Sequence, residues 1–355
     1  MREAVFEFEL LTPAILAGAD QQSAEMRIPS IRGALRWWTR LIAGKEEEKR
    51  IFGHVTGEQC QSSMVNLRLL SPTQYILPSQ NASSLTGNKF DYFLWPFERG
   101  NTRGVIKASS CFKVVLKTKP GKDDLDEDFE KILWVFLLFG SLGTRSRRAY
   151  GSIWPRSVTI DGEEYDIPQN EEDLLAYADW IFSDSNVSLY RLGKPQKDYK
   201  KAVEICADFL KTFRCGKDQY GATASEWGKN DHDTGFSGNG QIYRAALGLP
   251  LTQRYSKSSR IVDYSIEDWD RFASPLHFKI IKFKDGFVPL MLVIPQYAPE
   301  NGTVMTGKVK NGGNFTVSLD KDLLDVMRGA SARDEQRMKE LFPDAVQLAY
   351  YAPEE

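Results

Sequence analysis

Between Met26 and Ile42 the chain reads Met-Arg-Ile-Pro-Ser-Ile-Arg-Gly-Ala-Leu-Arg-Trp-Trp-Thr-Arg-Leu-Ile, and no other stretch limits the possible folds so tightly. Pro29 disfavours helix before it, Ser30 can accept from the first free backbone N–H groups, and Ile31, Leu35, Trp38 and Ile42 recur at helical spacing. This predicts a helix from Ser30 to Ile42 with one apolar face on a core. Arg27 precedes it, and Arg32, Arg36 and Arg40 recur every four residues on the other side with Trp37 beside them. No Asp or Glu lies between Arg27 and Gly44. The fold must therefore bury one face and offer the other to a polyanion such as a phosphate backbone. Trp38 falls on the core spacing, whereas Trp37 is either core or a stacking surface.

Upstream, Val5-Phe-Glu-Phe-Glu-Leu-Leu alternates apolar and acidic residues, which predicts a strand with one face on the core, ended by Thr12-Pro13. Small polar residues after Ala17 read as a loop that delivers the chain to the arginine helix. Met64–Leu70 and Cys111–Thr118 are further strand candidates. Phe129–Phe139 is a second helix with Ile132, Val135, Phe136 and Phe139 on one face, and Ser152–Ile160 is a closing strand. This succession predicts a ferredoxin-like, or RRM-like, domain over residues 1–160, a plan shared by many RNA-binding domains. An insertion from Pro72 to Arg103 carries a small aromatic cluster, Tyr92-Phe-Leu-Trp-Pro-Phe.

The remainder, 161–355, is expected to form a second ferredoxin-like domain, more helical and with helical insertions, so that the fold class is α+β. Glu171–Phe182 and Asp198–Arg214 are amphipathic helices by periodicity. The Gly, Asn, Asp and Ser content between Cys215 and Gly240 predicts a long loop. Leu276–Phe283 and Phe287–Ile294 flank Lys284-Asp285-Gly286 as a hairpin. Leu319–Leu341 reads as helix interrupted near Gly329, followed by a polar end. The division between the two domains is expected between Ser157 and Asn170.

A net charge of −2 over 355 residues rules out a general polycation, so any nucleic-acid binding must come from local patches. One such patch is Gly140-Ser-Leu-Gly-Thr-Arg-Ser-Arg-Arg-Ala-Tyr-Gly. Gly140, Gly143 and Gly151 allow close approach of backbone N–H groups to an anion, Arg145, Arg147 and Arg148 supply charge and bidentate donors, and Tyr150 adds a ring. The pattern is neither a Walker loop nor a dinucleotide-binding fingerprint. With the arginine helix it forms the candidate phosphate-binding site, and the two segments are expected side by side.

Signals for catalysis are thin. His54, His232 and His277 are isolated, and Asp231-His232-Asp233 has no further ligand at metal-binding spacing. Asp20 is a candidate acid or metal ligand, and no Ser or Cys sits in a nucleophile elbow. No catalytic residue, metal or cofactor is therefore assigned. Cys60, Cys111, Cys206 and Cys215 show no Cys-x-x-Cys pair, and the longest apolar run, Ile132–Phe139, falls far short of the roughly 20 residues of a membrane span. A cytoplasmic protein without membrane contact is expected. An endoribonuclease using a histidine or Asp20, or an enzyme acting on a small phosphorylated metabolite, is the rival reading.

Thr12-Pro13, Ala17-Gly-Ala-Asp, the Arg-Trp-Trp helix, Phe52-Gly53 and the segment Gly140–Gly151 together resemble the RAMP superfamily of CRISPR-associated proteins. Within it the Arg-Trp-Trp helix resembles the first-subunit family of the type III-B, or Cmr, effector complex, as do Gly248-Leu-Pro-Leu and Arg271-Phe-Ala-Ser-Pro-Leu. The resemblance implies two ferredoxin-like folds and a multi-subunit ribonucleoprotein with other Cmr-complex subunits as partners. It also implies binding of guide (CRISPR) RNA and target RNA near the guide 3′ end, with target recognised by base pairing. Ala149 stands where the family's loop has a glycine. In related backbone subunits a loop aspartate cuts target RNA, but Asp20 lies in a different local pattern and does not inherit that activity.

Overall fold

The alternation read in the first strand becomes a buried face: β1 (Glu3–Leu10) encloses Ala4, Phe6, Phe8 and Leu10 and leaves the residues between them half-exposed. The computed structural model describes residues 1–57, 59–70, 85, 92–97, 103–121, 126–215, 225–255, 259–269 and 271–352. Most of the expected insertion from Pro72 to Arg103 lies outside the described residues.

After β1 come β2 (Ala14–Ile15), α1 (Ile28–Phe52), the hairpin β3 (His54–Thr56) and β4 (Gln59–Gln61), and β5 (Val65–Leu69). There follow β6 (Val105–Ile106), β7 (Cys111–Thr118), α2 (Asp126–Phe139), β8 (Ile153–Ile160) and β9 (Glu163–Glu164). The first sheet is antiparallel with order β5-β7-β1-β8-β9. Phe136 of α2 meets Phe6 and Phe8 edge-on, at ring-centroid distances of 6.5 and 6.2 Å. From Ile132 to Phe139 no side chain of α2 exceeds 3% exposure, so this helix is enclosed all round, not on one face.

The second half contains α3 (Glu171–Phe182), β10 (Val187–Arg191), α4 (Tyr199–Cys215), α5 (Glu226–Ser237), β11 (Gln241–Ile242), β12 (Leu251–Arg254) and β13 (Ile261–Ser265). It continues with β14 (Leu276–Phe283), β15 (Gly286–Val293), β16 (Val304–Val309), β17 (Asn314–Leu319), α6 (Asp322–Arg328), α7 (Ala332–Leu341) and β18 (Val346–Tyr351). Its main sheet has the order β14-β15-β10-β18. Numbered within each half, both sheets place their first four long strands in the order 2-3-1-4, with a helix after the first and after the third. The hydrophobic cluster runs unbroken through both halves. Trp134 packs on Tyr177 of α3, and Phe182 of α3 lies between Phe139 and Tyr351, so α3 ties α2 to β18.

Several expectations are corrected. The loop expected between Cys215 and Gly240 is, over its described part, helix α5, which starts on the Ser225 hydroxyl accepting from Gly228 N–H and stops at left-handed Gly238. Residues 216–224 lie outside the described residues. The insertions expected to be helical include a five-stranded sheet, β11-β17-β16-β13-β12, drawn from two separate stretches of the chain. The polar end forms β18, an edge strand on β10.

The arginine helix differs most. Its N-cap is Arg27, with Ser30 inside the first turn, and it continues past Ile42 to Phe52 through a non-helical Gly44 at φ 86°. Glu48 is 1% exposed and receives the Arg36 guanidinium and, at 3.0 Å, that of Arg40. Arg32 donates to the Phe52 carbonyl and lies over the Phe52 ring. On a straight helix Glu48 would stand about 18 Å from Arg36 along the axis, beyond side-chain reach. The two arms therefore double back at Gly44, and an acid from beyond the glycine neutralises the stripe. Replacing Arg36 and Arg40 together by Ala should cost about 3–5 kcal/mol in chemical denaturation, because Glu48 is left buried without a counter-charge. Adding Glu48→Gln should recover much of that loss; a double variant as stable as the parent would contradict this role.

Candidate nucleic-acid interface

The segment from Gly140 to Gly151 is fixed by backbone on both sides. Thr144 N–H donates to the Ile15 carbonyl, Gly151 N–H to the Pro13 carbonyl and Leu142 N–H to the Gly151 carbonyl. The buried Thr12 hydroxyl donates to the Ala149 carbonyl at 2.6 Å and accepts from Ser152 N–H at 2.9 Å. From the second half, Phe278 exchanges backbone bonds with the segment, its N–H donating to the Arg147 carbonyl and its carbonyl accepting from Ala149 N–H. Lys279, 1% exposed, donates to the carbonyls of Gly140 at 2.8 Å and Leu137 at 3.3 Å, at the C-terminal end of α2.

These contacts revise the role of the loop glycines. A Cβ at Gly140 would lie 2.2 Å from the Phe136 carbonyl oxygen, and one at Gly151 1.9 Å from that of Leu142. Gly143 and Gly151 also have positive φ. The glycines admit neighbouring protein backbone, and the N–H groups of Gly140, Leu142, Thr144, Arg148, Ala149 and Gly151 are spent on carbonyls rather than held open for an anion. Ala149 has φ 63°, the left-handed conformation that favours a glycine there. Tyr150 is 6% exposed and belongs to the core, not to a stacking surface.

What the loop does present is side-chain charge. Arg145, Arg147 and Arg148 line a cleft of about 900 Å³ between the halves, together with Trp37 and Trp38 from α1 and Arg214 from the end of α4. Leu247–Pro250, Arg271–Ser274, His277 and Phe278 form the opposite wall. Arg36 and Arg40 do not share this freedom, although a side pocket of about 170 Å³ runs on from the cleft past Trp37 and Arg147 to Arg40.

No Asp or Glu lines the cleft among the described residues, and none of its five arginines has an ion pair among them. Burial, then the neighbouring Arg214, Arg145 and Arg147, pull the Arg148 guanidinium down to about 9. Burial also lowers Arg145, with Arg214 adding to the effect, and lowers Arg147. Like charges crowded with little water favour any ligand that brings negative charge. Arg148 is held by the carbonyls of Arg147 and Leu276 and lies over Phe278. The Arg214 Nε is buried without a hydrogen-bond partner among the described residues.

The helix and the loop do meet, through Trp37: its indole stacks on His277 at 4.6 Å and carries the Arg147 guanidinium at 5.2 Å. Trp37 is half-buried and already has ring partners, and Trp38 is core. Burial, reinforced by Arg147 and Arg148, drives His277 well below the usual imidazole range, so the ring is neutral at pH 7.

The other candidates lie elsewhere. Asp20 is exposed and accepts from the N–H groups of Gln22 and Ser23 and the Ser23 hydroxyl, which hold its carboxyl below the ordinary range. Asp231 is buried against Arg244 at 2.6 Å, while His232 and Asp233 are exposed. Among the described residues no three His, Cys, Asp or Glu side chains cluster as metal ligands.

Sequence reading missed Arg214 and Arg271 as cleft residues. Arg271 stood in the Arg271-Phe-Ala-Ser-Pro-Leu motif without a role, and Arg214 read as an ordinary basic residue closing a helix.

Residues 7–154 match the family model of the RAMP superfamily. The CRISPR system Cmr subunit Cmr1-2 of Pyrococcus furiosus is 27% identical over 177 residues, covering 43% of this chain and 95% of that protein. Cmr subunit Cmr1-1 of the same organism is 30% identical over 163 residues, covering 42% of this chain and 46% of that protein. The crystal structure of apo Cmr1 from Pyrococcus furiosus superimposes with a TM-score of 0.53 over 98% of both chains at 18% identity, a likeness of fold. The doubled arginine helix and the glycine–arginine loop thus lie in the segment that matches the RAMP superfamily model, and the chain that carries them is similar in sequence to the Cmr1 subunits of a CRISPR system.

Proposed function

We propose that this protein is a non-catalytic RNA-binding subunit of a type III-B (Cmr) CRISPR ribonucleoprotein, and that the cleft between its halves holds the phosphate backbone of guide or target RNA. The observation that carries this reading is the five-arginine cleft with no lining carboxylate among the described residues. Its relatives bear the name of Cmr subunits. We read each half as a ferredoxin-like unit on the strength of the shared 2-3-1-4 strand order. The units divide after the β8–β9 hairpin, between Glu164 and Asn170. Guanidinium groups that contact phosphates fix register without reading bases, as suits a protein whose target is recognised by pairing.

A catalytic reading finds less support. His277 is buried, neutral and stacked on Trp37, Asp20 is engaged in its own turn, and Asp231 is paired. RNA incubated with the purified chain should stay intact, and cleavage lost on replacing His277 or Asp20 would establish the endoribonuclease instead.

Replacing Arg145, Arg147 or Arg271 singly by Ala should weaken binding of single-stranded RNAs of unrelated sequence to a similar degree. Each lost phosphate contact should flatten the salt dependence by about 0.7 on a log–log scale. Unchanged affinity, or losses confined to one RNA sequence, would remove the cleft from the binding surface.

The state of His277 gives a pH prediction. In the unfolded chain it takes a proton near its ordinary pKa of about 6.5, whereas folded it stays neutral well below that. The unfolded state then binds the extra proton, so stability falls as the pH drops below about 6.5, by up to about 1.4 kcal/mol per pH unit. His277→Phe should lack this contribution when denaturation midpoints are compared with the parent between neutral and mildly acidic pH.

A further inference from the structure

The residues from Tyr92 to Phe97 form a rim whose packing leaves one large side chain outside. Phe93, Leu94 and Phe97 are at most 4% exposed, and the Phe93 ring lies 5.3 Å from that of Phe278, a cleft residue of the second half. Phe97 lines the cleft itself and carries the Arg145 guanidinium at 5.9 Å. Trp95, in the same single 3₁₀ turn as Phe97, is 59% exposed. At about 2 Å rise per residue, the two positions are only about 4 Å apart along the turn.

An indole left in water at this point is unexpected on packing grounds, since Leu94 before it and Phe97 two residues after it are buried. It lies two residues from Phe97, the ring that carries the Arg145 guanidinium, whereas the aromatic rings read from the sequence are taken: Trp37 stacks on His277, and Tyr150 is core. Trp269, 42% exposed near Phe272, is less suited, because exposed Glu267 and Asp268 precede it and would repel a phosphate backbone. Beside the Trp95 turn, by contrast, Arg145 lies over the Phe97 ring, and Arg103 is held at 3.2 Å on the hydroxyl of Thr144, the residue before Arg145.

We propose that Trp95 is a base-stacking platform at the rim of the arginine cleft, so that the cleft takes single-stranded RNA and places an unpaired base on the indole. This rests on the reading of the cleft as an RNA site and adds to it the strandedness of the ligand and the residue that selects it. The arginines would act on any phosphate backbone, but a duplex keeps its bases stacked on each other and offers no free base to the ring.

The test measures binding of a short oligoadenylate and of a blunt RNA duplex of equal length to the full chain and to Trp95→Ala and Trp95→Phe, with melting temperatures as a check on folding. For Trp95→Ala, affinity for the single strand should fall roughly 5- to 150-fold, with the salt slope unchanged and duplex binding unaffected. Trp95→Phe should retain most of the affinity, and quenching of tryptophan fluorescence by the single strand should drop in both variants. Equal affinity of parent and Trp95→Ala for the single strand, or equal losses on single strand and duplex, would overturn the platform while leaving the cleft as an RNA site. A parent chain that binds neither RNA would overturn both readings.

Discussion

The cleft lies between two halves that a buried lysine ties to each other. Lys279 leaves the second sheet, enters the first half and ends on the last carbonyls of α2. Burial drives its pKa well below the ordinary lysine range, and its donation to two carbonyls at the C-terminal end of α2, where a helix leaves acceptors free, is what the buried amine contributes. The same strand pairs with the glycine–arginine loop through Phe278 and donates from Ile280 N–H to the Ser152 hydroxyl. Three adjoining residues thus fix the register between halves, and His277, next in the strand, turns into the cleft. Because α2 is enclosed on every side, the halves share one core, and the arginine loop cannot move without disturbing both sheets.

Arginines here do two kinds of work, and the position of a single acid separates them. Glu48 is buried and takes Arg36 and Arg40, so those side chains hold the doubled helix together. Arg145, Arg147, Arg148, Arg214 and Arg271 have no such acid among the described residues, and the first four crowd together around Arg148. The crowding raises the energy of the unliganded cleft, and a bound phosphate backbone would relieve it. That is the physical reason to place the proposed RNA among these residues rather than along the exposed side of α1.

Much of the frame was legible in local pattern. The alternation in β1, the helix Glu171–Phe182 and the hairpin around Lys284-Asp285 all appear where the spacing put them, because each is decided by a face buried along its own length. What failed were features decided at a distance. The stripe on α1 looked unneutralised because Glu48 belongs to the next arm, and only the reversal at Gly44 brings it back. The five-stranded sheet escaped notice because its strands are short and come from stretches separated by the β14–β15 hairpin. Helix α5 was hidden by a composition of Gly, Asn, Asp and Ser, although its Ser225 cap and Gly238 stop were both in the sequence. In the candidate site the loop arginines do line the cleft, but Tyr150 and the glycines, read as ligand contacts, are engaged in packing.

That last substitution of roles bears on what the family-like motifs encode. Thr12 bonds the Ala149 carbonyl and Ser152 N–H, Gly140 and Gly151 admit the Phe136 and Leu142 carbonyls, and Tyr150 is buried, so these motifs specify a shape more than a set of ligand contacts. The charge on that shape is completed from the other half of the chain, by Arg214 at the end of α4 and Arg271 in the loop before β14. Neither half alone would present the full ring of arginines, and the backbone bonds through Phe278 and Lys279 are what keep the two contributions facing one space. The segment that matches the RAMP superfamily would, in isolation, therefore carry the fold of the loop but only part of its electrostatics, which makes the junction, rather than either sheet, the place where the proposed site is assembled.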